Sequence, residues 1–537
     1  MNTWKPKGMR MLWVLALLAV GCPRPQVTPS EVPATTTPTT GPEDAGTADA
    51  GTPQAAPPAP VPYSLAFTGH LLEGFTGVHS AAYAVHEGKL VVIGGRANGM
   101  HNFPLNSQQV KTRPAFPPSQ ANASVWVIDL AAGKVLGSKS TDALPAKIRT
   151  QWRATNPQSL VLNGHFIIAG GYGQNPAGTS MVTQAYATSV GLDALIQAVL
   201  DPQAKLDTAW ASQNVGIADN LALQVTGGEL VSLGGLQLLV FGHTFNGEYT
   251  SSGSLATQTY TESVRMFRFT PGSQNGKATL AVQFLGQTPN VPSGQQDPEG
   301  PYHRRDLTVG PTRTGTGDLR ITAYSGVFKG GRMEGYLNPV YISPDTTDGG
   351  ITLDVDTSAE QLLNHYACPA IPIFDAASRT MYTTLVGGIS YYSWDGTGLK
   401  HDPGNLPGGV DGLPFINSVS TLRVSYADGQ RRTQQYLHPE LTFPPADAQP
   451  RCGSTPATLG GTGGIFIPDD ALGAAVRNGV LDYGGLPASG RIGWVFGGIA
   501  ATASYGAQGP SCASNMLYEV TLTRQPGQLV ELHPPAR

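Results

Sequence analysis

The sequence predicts an all-β fold in which six four-stranded antiparallel units close into a β-propeller, with short helical insertions. Three observations carry the prediction: a glycine-rich, charge-poor composition, an apolar strand ending in glycine that recurs six times, and tight-turn dipeptides ahead of several of those strands. The 537 residues include 67 glycines and 44 prolines, and only 13% are charged. Average proteins carry about 25% charged residues, and glycine costs about 1 kcal/mol in a helix interior, so helical bundles and coiled coils are excluded. The net charge of −4 comes without a basic stripe. Nucleic acid is therefore not an expected partner, because nothing would release counterions from its phosphates.

The N-terminus comes first in chain order. Lys5, Lys7 and Arg10 precede an apolar run from Met11 to Val20, followed by Gly21 and Cys22. A basic region, a short apolar region and small residues describe a signal peptide, too short to span a bilayer as a mature helix. Leu18 to Cys22 resembles the lipobox of bacterial lipoproteins. That resemblance implies a signal peptide over 1–21, Cys22 as the acylated, palmitate-bearing first residue of the mature protein, and a membrane held through that anchor. Pro23 stands where an Asp would resemble an inner-membrane retention signal, so the outer membrane is expected. From Cys22 to Pro62 the chain is rich in Pro, Thr and Ala and has no aromatic residue. Such a segment cannot offset its ordering entropy by burial and reads as a semi-extended tether. Residues 63–537 form the expected folded domain.

Within that domain the recurring strands are Leu90 to Gly95, Phe166 to Gly171, Leu238 to Gly242, Ile321 to Gly326, Met381 to Gly388 and Ile492 to Gly498. Their glycines at 94, 170, 242, 326, 387 and 497 are 61 to 110 residues apart, longer than usual propeller repeats of about 40–50, so long loops are expected. A preceding strand joins through a tight turn at His86-Glu87-Gly88, Asn163-Gly164 or Asp375-Ala376. A third strand follows a polar loop, as in Ser124 to Leu130, Ser263 to Phe269, Ser418 to Tyr426 and Asn515 to Leu522. Lys134 opens a fourth.

This pattern resembles the kelch repeat, and with it the central propeller of galactose oxidase, where an apolar strand ends in Gly-Gly and a later strand carries an aromatic residue before an Asp. Gly94, Gly95, Trp126 and Asp129 match best, and Gly497, Gly498 and Tyr518 match without the Asp. The third and fourth units keep only Gly242 and Gly326. Propeller blades run from an inner first strand outward. Tyr63 to Thr68 and Leu529 to His533 are both strand-like, so ring closure is expected to join the chain ends in one blade and protect its edges, with the N-terminal strand in the last blade. Leu192, Leu195, Ile196 and Val199 predict one helical insertion, and Asp469 caps a second with Leu472, Ala475 and Val476.

Under that arrangement the loops after each second strand and before each first strand share one face. His79, His303, His365 and His438 fall in or near loops leading into a blade, and His101, His243 and His401 in loops after a second strand. The densest cluster is Tyr302, His303, Arg304, Arg305 and Asp306, with Arg332, Glu334 and Tyr336 in the companion loop and Arg153 at the corresponding place in the second unit. Guanidinium forks suit carboxylates and aromatic faces suit sugar rings, so these residues are candidate ligand contacts. An Arg/Asp network that pins the loops explains them equally well.

No metal or cofactor is expected: there is no His-x-x-x-His, no Cys-x-x-Cys and no Gly-x-Ser-x-Gly. Tyr366, Cys368 and His365 lie close in sequence but do not make a copper-radical set. Cys452 and Cys512 fall in the two same-face loops of the sixth unit and are expected to pair in an oxidising compartment, leaving Cys368 free. The function expected is binding or recognition of a glycan or protein through the loop face. The alternative is a periplasmic or surface enzyme acting on a carbohydrate in the channel.

Overall fold

The computed structural model describes residues 59–535 except 251–252, 293, 402–412, 427–428 and 506–508. The expected signal segment, Cys22 and the tether as far as residue 58 lie outside the described residues. The rest is mostly strand, with a few short helices, arranged as a β-propeller. Three four-stranded sheets follow one another in sequence from Ala82 to Thr288, and another runs from Thr308 to Val355. A five-stranded sheet combines Leu459–Pro468, Ser489–Ala501, Met516–Thr523 and Ser511–Ala513 with the N-terminal strand Ser64–Leu71.

The expectation of six four-stranded blades is corrected here. Five sheets have blade dimensions, four or five strands, whereas the one built on Ala370–Asp375, Thr380–Val386, Ser418–Ser425 and Arg432–Thr442 has seven. Its extra strands come from elsewhere in the chain. The insertion after Asp469 adds Val476–Arg477 and Val480–Asp482 on one edge, pairing Ile373 with Leu481 in parallel. Val530–Glu531 covers the other edge, opposite Tyr436 and Leu437. The C-terminal segment thus joins this sheet and not the last one, because the chain turns back after Thr523. Closure rests on the N-terminal strand alone, with Ser64 to Leu71 registered against Thr523 to Met516.

The core lies between neighbouring sheets. Val91, Val127, Phe166 and Ile168 fill the first gap with Leu195 and Val199 of helix Leu192–Leu200, so that insertion forms as its apolar spacing predicts and serves packing. Leu90, Val92 and Trp126 meet Trp494, Phe496 and Leu517 where the ring closes. Each fully buried large side chain contributes about 1.5–3 kcal/mol. At the second expected insertion Asp469 accepts from the Ala471 amide and starts a 3₁₀ turn over Asp470–Ala475.

The recurring glycines tie sheet to sheet. Gly170 and Gly171 have φ of 59° and 88°, and the Gly171 amide donates to the Val225 carbonyl of the next sheet at 2.9 Å. A Cβ on Gly170 would run into that same carbonyl oxygen. The single-glycine units keep this backbone: Phe241 and Gly242 have φ of 52° and 87°, and Ser325 and Gly326 have 53° and 101°.

Candidate functional site at the channel mouth

The innermost strands surround a cavity of about 340 Å³. Where they enter it, one residue per strand is left-handed: Ser80, Asn156, Gly227, Asp306, Ala367 and Gly463, with φ between 47° and 75°. Backbone bonds pass from one to another: Gly463 to Ala367 at 2.5 Å, Ser80 to Gly463 at 3.4 Å, Asn156 to Ser80 at 2.9 Å and Asp306 to Gly227 at 2.8 Å. This conformation is costly for residues other than glycine, on the order of 1–3 kcal/mol each, so four non-glycine instances at one mouth mark a place to look for function.

The residues singled out from sequence divide into three groups. Arg304 is buried and donates to the carbonyls of Pro301, Ser325 and Asn338 at 2.5, 2.9 and 2.8 Å, with its guanidinium 4.6 Å from the Tyr336 ring centre. Tyr336 donates to the His303 carbonyl at 2.6 Å. His303 pairs through Nδ1 with Glu262 and stacks on Tyr260 at 3.6 Å, while Tyr302 stacks on Phe241 at 5.7 Å. These contacts hold the loop. Arg332 and Glu334 sit on the surface, where Arg332 also pairs with Glu299 at 2.5 Å. Arg153 is pinned to Thr141 and Asp142 at 2.7 and 2.6 Å and lines a separate small pocket. His438, expected near a loop, lies within the strand Arg432–Thr442.

Arg305, Asp306 and His243 form the third group, at the mouth. Arg305 Nη1 lies 3.5 Å from His243 Nε2, and its Nε is 3.8 Å from Asp306 Oδ2. That Nε is buried and has no hydrogen-bond partner among the described residues. Its guanidinium carbon is 4.5 Å from the Phe328 ring centre. Burial pushes the Asp306 carboxyl up while Arg305 pulls it down. Burial and the neighbouring Arg305 hold His243 well below the usual histidine range, and Gln258 donates to its Nδ1 at 2.7 Å.

Sequence reasoning missed the aromatic surround. Tyr260, Tyr249 and Tyr366 all interact electrostatically with Arg305, and the His101 ring packs 4.7 Å from Tyr249 and 4.9 Å from Phe116. Burial lowers His101 to about 4, with Arg305 and Arg96 adding to the effect. These side chains come from separate loops, and no spacing in the sequence connects them. A buried cation ringed by phenols and neutral imidazoles can bind a carboxylate while the rings cover an apolar face.

Glu229 also lines the cavity and has no ion-pair partner among the described residues. Burial raises its carboxyl to about 8. Cys368 also lines the cavity, and burial pushes its thiol up to about 12 while Thr308 donates to Sγ at 3.7 Å. His365 donates from Nδ1 to the Gly387 carbonyl at 2.6 Å and accepts at Nε2 from Ser420 Oγ at 2.8 Å. Cys452 and Cys512 are joined, with Cα atoms 5.3 Å apart. Among the described residues no group of three or more His, Cys, Asp or Glu could hold a metal ion, and no helix is long and apolar enough to cross a membrane.

No family model matches the chain, and no curated protein is similar to it. Among solved structures it is similar to one described as "Structure of YjhT", at 10% identity and a TM-score of 0.40, over 86% of this chain and 99% of that one.

Proposed function

We propose that this chain is an exported, lipid-anchored binding protein whose channel mouth recognises a carboxylate-bearing glycan. The observation that carries the reading is Arg305, a guanidinium 14% exposed, with an unmatched Nε 3.8 Å from the cavity-lining Asp306 and three tyrosines interacting with its charge. Leaving a buried donor unmatched costs about 1–3 kcal/mol, which an incoming carboxylate would recover. The kelch-type reading of the ring rests on the left-handed residue pairs at the strand ends, and the anchor on the Leu18 to Cys22 lipobox, with the outer membrane as destination. The test uses the full chain extracted in detergent, presented with uronic-acid and neutral oligosaccharides. Acidic glycans should bind, and Arg305→Gln should lose them while Arg332→Gln does not. Equal binding of neutral glycans, or retention by Arg305→Gln, sinks the reading. Mass spectrometry of the mature N-terminus tests acylation of Cys22.

Glu229 favours a second reading, an enzyme acting on a carbohydrate in the channel. A carboxyl held protonated near pH 7 is suited to general-acid chemistry, and Asp306 lines the same cavity. Product analysis with acidic oligosaccharides distinguishes the two: turnover abolished by Glu229→Gln indicates catalysis, and binding without turnover indicates recognition.

A further inference from the structure

Apart from the channel, a pocket of about 180 Å³ opens between the first two sheets, walled by Arg96, Arg149, Arg153, Phe116 and Tyr172 among others. Three cations line it and no carboxylate does. Arg96 is only 4% exposed. It donates from Nε to Asn98 at 3.0 Å and from Nη2 to the Pro117 carbonyl at 3.4 Å, and its guanidinium carbon lies 5.1 Å from the Phe116 ring centre. No described acceptor takes its Nη1. Arg149 donates through Nη1 alone, to the carbonyls of Asp142 and Leu144 at 3.2 and 3.4 Å. Arg153 uses Nε and Nη2 on Thr141 and Asp142. Each guanidinium therefore keeps at least one nitrogen unmatched among the described residues.

The single neutralising carboxylate is Asp142, which holds Arg153 from outside the lining and is itself 77% exposed. Glu248 lies near Tyr172 and makes no ion pair among the described residues. A buried arginine without a counter-ion is expensive, and two more cations around the same space add repulsion. Burial brings Arg96 down to about 10, a further sign that its charge is not compensated within the protein.

We propose that this pocket, which shares no lining residue with the channel cavity, is an oxyanion site that takes a sulfate or phosphate group, free or carried on a small ligand. Unmatched nitrogens on three guanidiniums suit a tetrahedral anion, which offers more acceptor oxygens than a carboxylate does. Phe116, Tyr172 and Met181 supply an apolar wall for whatever carries the group. The site does not depend on Arg305, so it stands or falls apart from the reading of the mouth.

The experiment titrates the full chain in detergent with sodium sulfate, sodium phosphate and, at matched ionic strength, sodium acetate, reading heat and thermal stability. Sulfate and phosphate should bind and raise the melting temperature, and acetate should not. The double substitution Arg149→Gln with Arg153→Gln should weaken sulfate binding by about tenfold or more, with an unchanged circular dichroism spectrum, whereas Arg305→Gln should leave it intact. Arg96→Lys, which keeps the buried charge and removes the fork, should also weaken it. Glucose 6-sulfate or glucose 6-phosphate binding more tightly than the free ions identifies an organic carrier, and equal affinity identifies the inorganic ion. An acetate effect as large as that of sulfate, or a folded double variant that binds sulfate like the parent, overturns the proposal.

Discussion

Asn156 reaches across to Asp306, its Nδ2 donating to Oδ1 at 3.1 Å although 150 residues separate them in sequence. Gly227 leads into the inner strand between them, Glu229–Leu233, and a Cβ there would stand 2.8 Å from that same Oδ1. Gly227 is also left-handed, with φ of 64°. Gly227→Ala should therefore displace the Asp306 carboxylate and strain the backbone, lowering stability by about 1–3 kcal/mol. Urea denaturation checks this, and an unchanged midpoint would show that the bridge is not sensitive to the gap.

Adjacent arginines should respond in opposite ways. Arg304→Ala removes the donors of three carbonyls in a buried site and should lower stability by about 3 kcal/mol or more. Arg305→Gln removes a cation that lacks good protein acceptors, and should change the melting temperature little while abolishing acidic-glycan binding. Thermal melts of both variants beside a binding isotherm decide it. Equal destabilisation would make Arg305 another loop pin.

Two sets of groups give stability opposite pH dependences. Burial lowers His79, His101, His365 and His438 to between about 3 and 4, so their contribution is whole above the unfolded value of about 6.5 and is lost as pH falls toward 4. Unfolding at pH 5 should take up about four protons through them, measurable as the slope of melting temperature against pH. Glu229 works the other way. Raised from 4.5 to about 8, its contribution is whole below 4.5 and is lost as pH rises through 8. Glu229→Gln should thus match the parent at pH 4 and exceed it at pH 9 by roughly 1–3 kcal/mol, allowing for water in the channel. A constant difference between the two proteins at all pH values would contradict this.

The bond between Cys452 and Cys512 also reaches the mouth. Asn98 bridges to Cys512, and the Met100 amide donates to Ser511 Oγ at 2.9 Å, one residue before His101. The cysteines lie 60 residues apart, so reduction should cost about 4 kcal/mol on a chain-entropy basis. It should also free the segment carrying His101. Hydrogen exchange at 98–101 with and without reductant measures this, and identical protection would detach the bond from the mouth.

The legible part of the sequence was the part governed by local rules. Gly94, Gly170 and Gly387 announced strand ends because their backbone excludes most side chains, whereas the strand carrying Gly497 runs on to Ala501. Phe241 and Ser325 hold the same left-handed place without announcing it, since packing enforces there what composition permits elsewhere. The Tyr302 to Asp306 cluster was visible as charge in a charge-poor chain. That Arg304 turns into three carbonyls while Arg305 lies against His243 and Phe328 was not, because one residue's difference in direction is set by the inner strand that follows. Tyr249, Tyr260 and Tyr366 meet only through the ring, and the seven-stranded sheet recruits strands from two remote segments, so neither leaves a periodic trace.

Ser64 is hydrogen-bonded in register opposite Thr523. The first folded strand therefore waits through synthesis of nearly the whole chain before its partner exists, which gives the last step of folding a very high contact order. Until then the outer edge of Met516–Thr523 and the apolar face carrying Phe67 are unpaired and open to other chains. A chain with this closure completes its ring only after its C-terminal strand has been made, however early the other sheets form.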